Sequence, residues 1–448
     1  MTIRSILISS GNIANDTNQS GGGNNSNIDS TPWALAIIEP VDFYLEIYCS
    51  RVDSDGNIYI SGFSDGYGEY GQGYFGYFLA KLTTVGAISW VSFVPDSTII
   101  DPNYYYYVEP YSIATNSSGT RVYVTGYGED NDNWYVQLMC YNSSTGALVW
   151  QKGLGWEYIW NDITYYDGGY GHDVRCDVPG NIYVCGNISF NNNDYTVVAK
   201  FTPTGDLIWK KGFYDTSSWG YGCVLDSASN IIVSMESSIA ADSNRTWTTV
   251  AKITTSGTLL WKNDFKHPYA INQYGTTSVT VDTQNYIYMS AAPQYVPPGA
   301  SGHGLSIHKI RPDTGETDWI KIIGSLVSGS LGGSNIVYSS KTGLIYVAFE
   351  DQGTYTGLAT FTTQGALTSL RRINGIDAPY WGVQFFSVDP SGNTYISTSN
   401  RIGWPNTEGT SWSGVIIKNL QKGVKSFYNL NQKKKIKKRK NFIYPPFF

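Results

Sequence analysis

Residues 197–209 read Val-Val-Ala-Lys-Phe-Thr-Pro-Thr-Gly-Asp-Leu-Ile-Trp, and other stretches repeat them almost position for position. Residues 78–90 are Phe-Leu-Ala-Lys-Leu-Thr-Thr-Val-Gly-Ala-Ile-Ser-Trp, and residues 249–261 are Thr-Val-Ala-Lys-Ile-Thr-Thr-Ser-Gly-Thr-Leu-Leu-Trp. Each copy is an apolar run, a glycine turn and a tryptophan. A degraded copy occupies 414–427. The tryptophan recurs as Trp33, Trp90, Trp150, Trp209, Trp261 and Trp319, at intervals of 57, 60, 59, 52 and 58 residues. Leu370 and Phe427 continue the phase. A period of 50–60 residues across almost the whole chain is the signature of a repeat architecture.

A second motif completes each period. It reads Val-Asp-Ser-Asp-Gly-Asn-Ile-Tyr-Ile-Ser-Gly at 52–62 and Cys-Asp-Val-Pro-Gly-Asn-Ile-Tyr-Val-Cys-Gly at 176–186, and a further copy occupies 388–397. Its aromatic anchor is Tyr59, Tyr123, Tyr183, Tyr288, Tyr346 or Tyr395, with Ile232 standing in once. β-Branched and aromatic runs alternate with Gly, Asn, Asp and Ser, which is a strand-and-turn pattern. Helical periodicity is missing. Each unit therefore predicts four antiparallel strands: a before the Asp-Gly-Asn turn, b with the tyrosine, c with Ala-Lys, d with the tryptophan. No unit can bury both faces alone, so the tyrosines and tryptophans are expected to be buried between stacked neighbours.

These two motifs resemble the bacterial SBBP repeats, built around Asp-x-x-Gly-Asn-x-Tyr-Val-x-Gly and Ala-Lys-x-x-x-x-Gly-x-x-x-Trp. The resemblance covers most of the chain and implies an all-β, seven-bladed β-propeller of four-stranded antiparallel blades over 32–430. Residues 1–31 then read as a flexible Asn/Ser/Gly-rich N-terminal arm and 431–448 as a basic C-terminal tail. Residues 32–38 lie one period before the strand of Trp90 and look like a spare d strand. They are expected to close the ring against the last unit, whose own d strand, 424–428, has lost its tryptophan. Ser-Thr-Gly-x-x-x-Trp at 144–150 and Asp-Thr-Gly-x-x-x-Trp at 313–319 resemble the tryptophan-docking motif of quinone-dependent dehydrogenase propellers. Neither the calcium ligands nor the cofactor pocket of those enzymes is assignable here.

Composition narrows the classes. Residues 418–448 hold ten Lys or Arg and no acid, whereas the other 417 residues carry 20 basic and 36 acidic side chains. An acidic body is a poor nucleic-acid binder, so nucleic acid is a partner only for the tail at 433–440. No apolar run is long enough for a membrane span or a signal peptide, so if the protein works outside a cell it is expected to leave by another route, such as release within a virus particle. The cysteines number five, with no Cys-x-x-Cys, and read as small buried thiols rather than disulfides or zinc ligands.

Strand alternation puts the short a–b and c–d turns on one face of the ring and the longer connections on the other. Those connections, 63–76, 95–110, 155–171, 235–247, 290–304 and 399–412, are aromatic. Variable loops on a rigid scaffold are where binding usually sits. The expected ligand surface is Tyr104, Tyr105, Tyr106 and Tyr107 with Trp156, Trp160, Tyr165 and Tyr166, flat rings suited to glycan or protein partners. The four histidines, His172, His267, His303 and His308, are scattered. Asp53-Ser-Asp55-Gly-Asn57 begins like a calcium loop, but Ser64 stands where the closing glutamate belongs, so a hairpin turn is the reading. Acid pairs such as Glu129/Asp130 and Asp162/Asp167 are not distinguishable in the sequence from solvated loop acids. The sequence thus points to a non-catalytic binding or structural propeller, a surface or virion-associated adhesin, with no cofactor or metal. The alternative is an enzyme at the ring's mouth, a glycan hydrolase or lyase or a dehydrogenase of the quinone-dependent kind, for which paired carboxylates about 5–10 Å apart would be the mark.

Overall fold

The computed structural model describes residues 7–12, 33–38, 43–67, 73–94, 106–130, 133–154, 156–160, 163–190, 193–213, 217–239, 242–265, 270–273, 278–291, 293–295, 302–303, 305–323, 331–351, 355–373, 385–403 and 410–418. Among them there is no helix. Four-stranded antiparallel sheets follow one another along the chain. The first is Phe43–Val52, Ile58–Tyr67, Gly73–Leu82 and Ile88–Val94. The second is Tyr106–Thr115, Arg121–Asp130, Asn133–Asn142 and Leu148–Leu154, joined to the third by one bridge between Tyr127 and Tyr170. The third is Gly169–Cys176, Ile182–Phe190, Asn193–Phe201 and Leu207–Phe213, and the fourth starts at Ser218–Leu225. This is a repeated-sheet architecture of the β-propeller kind.

The a–b turn is fixed by its aspartate. Asp53 Oδ1 accepts from the backbone N–H of Asp55 (3.0 Å) and Asn57 (2.8 Å), and its Oδ2 accepts from Asn57 Nδ2 (2.9 Å). Asp389 repeats these bonds and also accepts from Tyr395 Oη at 3.0 Å. The side chain mimics a backbone turn and satisfies donors that a tight hairpin would otherwise orphan. A hairpin turn accounts for all three residues of the calcium-like stretch.

The glycine-to-tryptophan motif is explained between units. The rings of Trp90, Trp150, Trp209, Trp261 and Trp319 each seat on the c–d turn glycine of the next unit. A Cβ on Gly146 would stand 2.6 Å from Trp90, one on Gly205 3.1 Å from Trp150 and one on Gly315 2.6 Å from Trp261. The indole N–H donates to a carbonyl of the same turn: Trp90 to Ser143 (3.0 Å), Trp209 to Thr255 (3.1 Å), Trp261 to Pro312 (3.3 Å). The Ala-Lys lysine donates to that same oxygen, from Lys81 at 3.4 Å and from Lys200 and Lys252 at 3.0 Å. Two donors, one of them cationic, and a ring thus converge on one turn and link consecutive sheets. The tryptophans are half-buried rather than buried, because strand d is the outer edge of its sheet. The tyrosines of strand b are the buried ones: Tyr59, Tyr123, Tyr183, Tyr288 and Tyr395 are each at most 1% exposed.

The two ends of the repeat meet. Trp33–Ile38 pairs antiparallel with Thr410–Lys418, Trp33 opposite Lys418 and Ile37 opposite Gly414. Ser50 Oγ lies 3.0 Å from Ser397 Oγ, and Tyr395 packs against Ile47, Ile58 and Ile60. Within the stretch read as a flexible arm, Leu7–Asn12 is a strand pairing with Trp33–Ile38. The tail 431–448 and the lost strand 424–428 lie outside the described residues.

The long connections are shorter than the sequence implied. Strands b and c run on to Tyr67 and from Gly73 in the first sheet, and to Ile239 and from Asp242 in the fourth. Residues Trp156–Trp160 and Ile163–Asp167 form a hairpin of their own. Aromatic and β-branched residues favour a pleated surface, and here they extend the sheets instead of making loops.

Candidate functional site

Inner strand a carries a one-residue bulge in five of the sheets, where the register slips between Ile47/Cys49, Pro110/Ser112, Gly171/Asp173, Gly220/Gly222 and Gly332/Ser334. The extra residues are Tyr48, Tyr111, His172, Tyr221 and Gly333. A bulge re-aims its side chain and is common beside active sites. Here four successive bulges re-aim four rings toward each other. Tyr48 and Tyr111 have centroids 6.3 Å apart, Tyr111 stacks on His172 at 5.5 Å and 20°, and His172 meets Tyr221 at 5.6 Å. The result is an aromatic arc spanning four sheets.

A second tier stands two residues earlier on the same strands, toward the longer connections. Tyr170 stacks on Tyr127 at 4.9 Å and on His172 at 6.0 Å, and Trp219, 37% exposed, lies 6.3 Å from Tyr170. Glu109 occupies the equivalent position on its strand. Its Oε2 accepts the Tyr111 hydroxyl, and Glu129 Oε2 accepts the Tyr127 hydroxyl at 2.8 Å. Glu109 pairs with Tyr127, and Glu129 with Tyr107, across the a–b ladder. The two glutamates are therefore diagonal neighbours on one face, about 7–8 Å apart by strand geometry. Glu236 accepts from Tyr221 at 3.5 Å, and Asp194 accepts from Ser189 at 2.5 Å.

Burial and these carboxylates set the protonation states. Burial, then Glu109, Asp194 and Glu129, pushes the Tyr170 hydroxyl up. Burial and the bond to Glu129 raise Tyr127, and burial with Glu236 raises Tyr221. All three stay protonated, and Tyr127 and Tyr221 donate to their glutamates. The ring of His172 keeps some solvent exposure but is crowded by Tyr111, Tyr170 and Tyr221, and desolvation lowers its pKa to about 4 against the pull of Asn187 and Asp173. Its Nε2 is 2.8 Å from Asn187 Oδ1. An amide oxygen only accepts, so in this orientation Nε2 holds the proton and Nδ1 the lone pair.

The sequence-derived surface falls differently. Tyr104 and Tyr105 lie outside the described residues. Tyr106 and Tyr107 begin the strand that carries Glu109 and Tyr111. Trp156, Trp160, Tyr165 and Tyr166 sit on the hairpin that precedes the strand of Tyr170 and His172. The expected face is thus adjacent to the arc, but the arc itself was missed. His172 is no isolated histidine, and Glu129 is no solvated loop acid. His308 is 1% exposed, packs edge-on against Phe265 at 5.7 Å and sits 3.2 Å from Ser306 Oγ. His267 lies outside the described residues. Among the described residues no cluster of His, Cys, Asp and Glu has the makings of a metal site, no cysteine is in a disulfide, and no helix is long and apolar enough to cross a membrane.

No family model and no curated protein matches the chain. Solved structures do resemble it. One is a protein of unknown function from Dyadobacter fermentans, 11% identical over 86% of this chain and 98% of that one, with a TM-score of 0.44. Another is a polysaccharide lyase, 10% identical over 84% and 90%, with a TM-score of 0.49. A third is an α-L-arabinofuranosidase from Fusarium graminearum, 12% identical over 71% and 94%, with a TM-score of 0.43. The expectation of a non-catalytic module or adhesin is not upheld, since enzymes of glycan cleavage are among the structures that resemble the chain. These likenesses are of fold alone, and the case for chemistry rests on the side chains of the arc.

Proposed function

We propose that the chain is a closed seven-bladed propeller of the SBBP repeat type whose aromatic arc cleaves a glycan. Closure is supported by the pairing of Trp33–Ile38 with Thr410–Lys418 and by the Ser50–Ser397 contact. The repeat type rests on the two sequence motifs alone.

The observation that carries the activity is the pair Glu109 and Glu129, each held by a tyrosine hydroxyl, beside stacked rings. Sugar faces stack on Tyr111, His172 and Tyr221 and on exposed Trp219. Cleavage of a glycosidic bond needs two carboxyl groups flanking it: one gives a proton to the leaving oxygen, and the other activates water or attacks the anomeric carbon. A backbone spacing of about 7–8 Å between diagonal strand neighbours lets two glutamate side chains reach the carboxyl separation that such pairs use. The bonds from Tyr111 and Tyr127 fix the carboxylate rotamers, which converts part of the entropic barrier into folded structure.

Elimination is the second reading, and one observation favours it. His172 is held neutral with a lone pair on Nδ1, flanked by tyrosines that keep their protons. That is a base and an acid set side by side, as β-elimination from a uronate requires.

The experiment is a panel of neutral and uronate-containing polysaccharides assayed for new reducing ends. Glu109→Gln and Glu129→Gln should each lose about 10²–10⁴-fold in rate with unchanged melting. If His172→Gln alone abolishes activity and the products carry an unsaturated terminal sugar, elimination replaces hydrolysis. Release that is undiminished in all three variants would remove the arc from the chemistry.

A further inference from the structure

Deeper along the same inner strands, past the bulges, two arginines stand at one level. Arg51 and Arg175 each precede their turn aspartate, Asp53 and Asp177, by two residues, on strands Phe43–Val52 and Gly169–Cys176. Both are half-buried. The carboxylate that acts on both is Asp173, bonded to Arg175 and attracting Arg51 electrostatically, and its oxygens are fully used. Its Oδ1 accepts from Ser112 Oγ (2.7 Å), Val174 N (2.9 Å) and Arg175 Nη1 (2.5 Å), and its Oδ2 accepts from Cys223 N (2.9 Å). Arg175 also donates to Val174 O at 2.8 Å. The Arg51 guanidinium has no hydrogen bond or ion pair among the described residues.

A guanidinium taken partly out of water without a partner is costly. Its neighbours make matters worse. Burial and then the like charge of Arg175 pull the Arg51 pKa down to about 10, and Asp173 offsets this only in part. The site holds two cations against one committed anion. Structural arginines are paired; this one is held ready for a charge that no described residue brings to it.

We infer that Arg51 and Arg175 form an oxyanion-binding site on the inner strands. The ligand chemistry is a sulfate, a phosphate or a carboxylate borne by a sugar, each able to take two parallel N–H donors from a guanidinium fork. Arg51 supplies the free fork, and Arg175 adds charge while anchored by Asp173. The inference is independent of the proposed cleavage, since it concerns binding several residues deeper than the arc.

The test is isothermal titration and thermal melting with sodium sulfate, phosphate and glucuronate, against chloride at matched ionic strength and against neutral glucose. Saturable binding of one or more oxyanions by the wild-type chain is expected. Glucuronate preferred over the inorganic ions identifies a sugar carboxylate, and the reverse identifies an inorganic or ester oxyanion. Arg51→Met should weaken binding about tenfold or more through loss of a charged hydrogen-bonding partner. Arg51→Lys, which keeps charge without the fork, should fall between. The variants also separate this role from a structural one: without oxyanion, Arg51→Met should melt at or above the wild-type temperature. Binding indistinguishable from chloride, binding unaltered in Arg51→Met, or a lower anion-free melting temperature in that variant would overturn the inference.

Discussion

Replacing Gly146 by alanine puts the inter-sheet lock to a quantitative test, with Gly119→Ala as its control. Both glycines sit in turns of the second sheet, and both are left-handed, at φ +73° and +65°. Alanine in that conformation costs about 1–2 kcal/mol at either position. The surroundings differ. A Cβ at Gly119 meets nothing within 4 Å, whereas one at Gly146 would lie 2.6 Å from Cε3 and 2.8 Å from Cδ2 of Trp90. The indole cannot simply retreat, because its N–H is bonded to Ser143 O at 3.0 Å and its ring packs 6.2 Å from buried Tyr59. Overpacking of this kind costs a further amount of about 1–3 kcal/mol. Gly119→Ala should therefore destabilise by about 1–2 kcal/mol and Gly146→Ala by about 2–5 kcal/mol. Urea unfolding followed by tryptophan fluorescence measures both. Equal losses would show that Trp90 does not dock on the next sheet, and the physical account of the repeat would fail.

Other consequences follow from the same geometry. Lys252 and Asp226, 2.9 Å apart with side chains 9% and 3% exposed, form a buried pair. Lys252→Met should cost about 3–5 kcal/mol in urea unfolding by stranding the carboxylate, and adding Asp226→Asn should recover part of that loss. His172 should titrate near pH 4 by histidine NMR; because its folded pKa lies below the unfolded 6.5, its contribution is intact above pH 6.5 and is lost as pH falls toward 4. His172→Gln should flatten that part of the stability profile, and a free-solution pKa would contradict the crowding. Deleting residues 1–40 removes the strand that covers Thr410–Lys418 and should lower the melting temperature by several degrees, whereas an unchanged value would deny it a part in closing the fold.

The sheets were legible because their determinants are local. Asp53 through Tyr59 builds a turn and a buried anchor within seven residues, and Lys200 through Trp209 builds the lock; both recur with the period. The site was not legible for the opposite reason. Tyr48, Tyr111, His172 and Tyr221 come from four sheets, and each is an inserted residue that a period-2 reading of strand a places on the wrong face. The one trace in the sequence is that the residue five before the turn Asp or Asn is aromatic or histidine four times running. The aromatic stretches drew attention to loops, yet Tyr106 and Tyr107 belong to a strand. Glu109 and Glu129 are twenty residues apart in sequence and become neighbours only through the a–b ladder.

The measurement that bears most directly on the central claim is a crystal structure of Glu129→Gln soaked with the oligosaccharides that the wild-type chain releases. The account predicts sugar rings stacked on Tyr111, His172 and Tyr221, with a glycosidic oxygen between residues 109 and 129. Oligosaccharide seated elsewhere, with those rings uncovered, would contradict it.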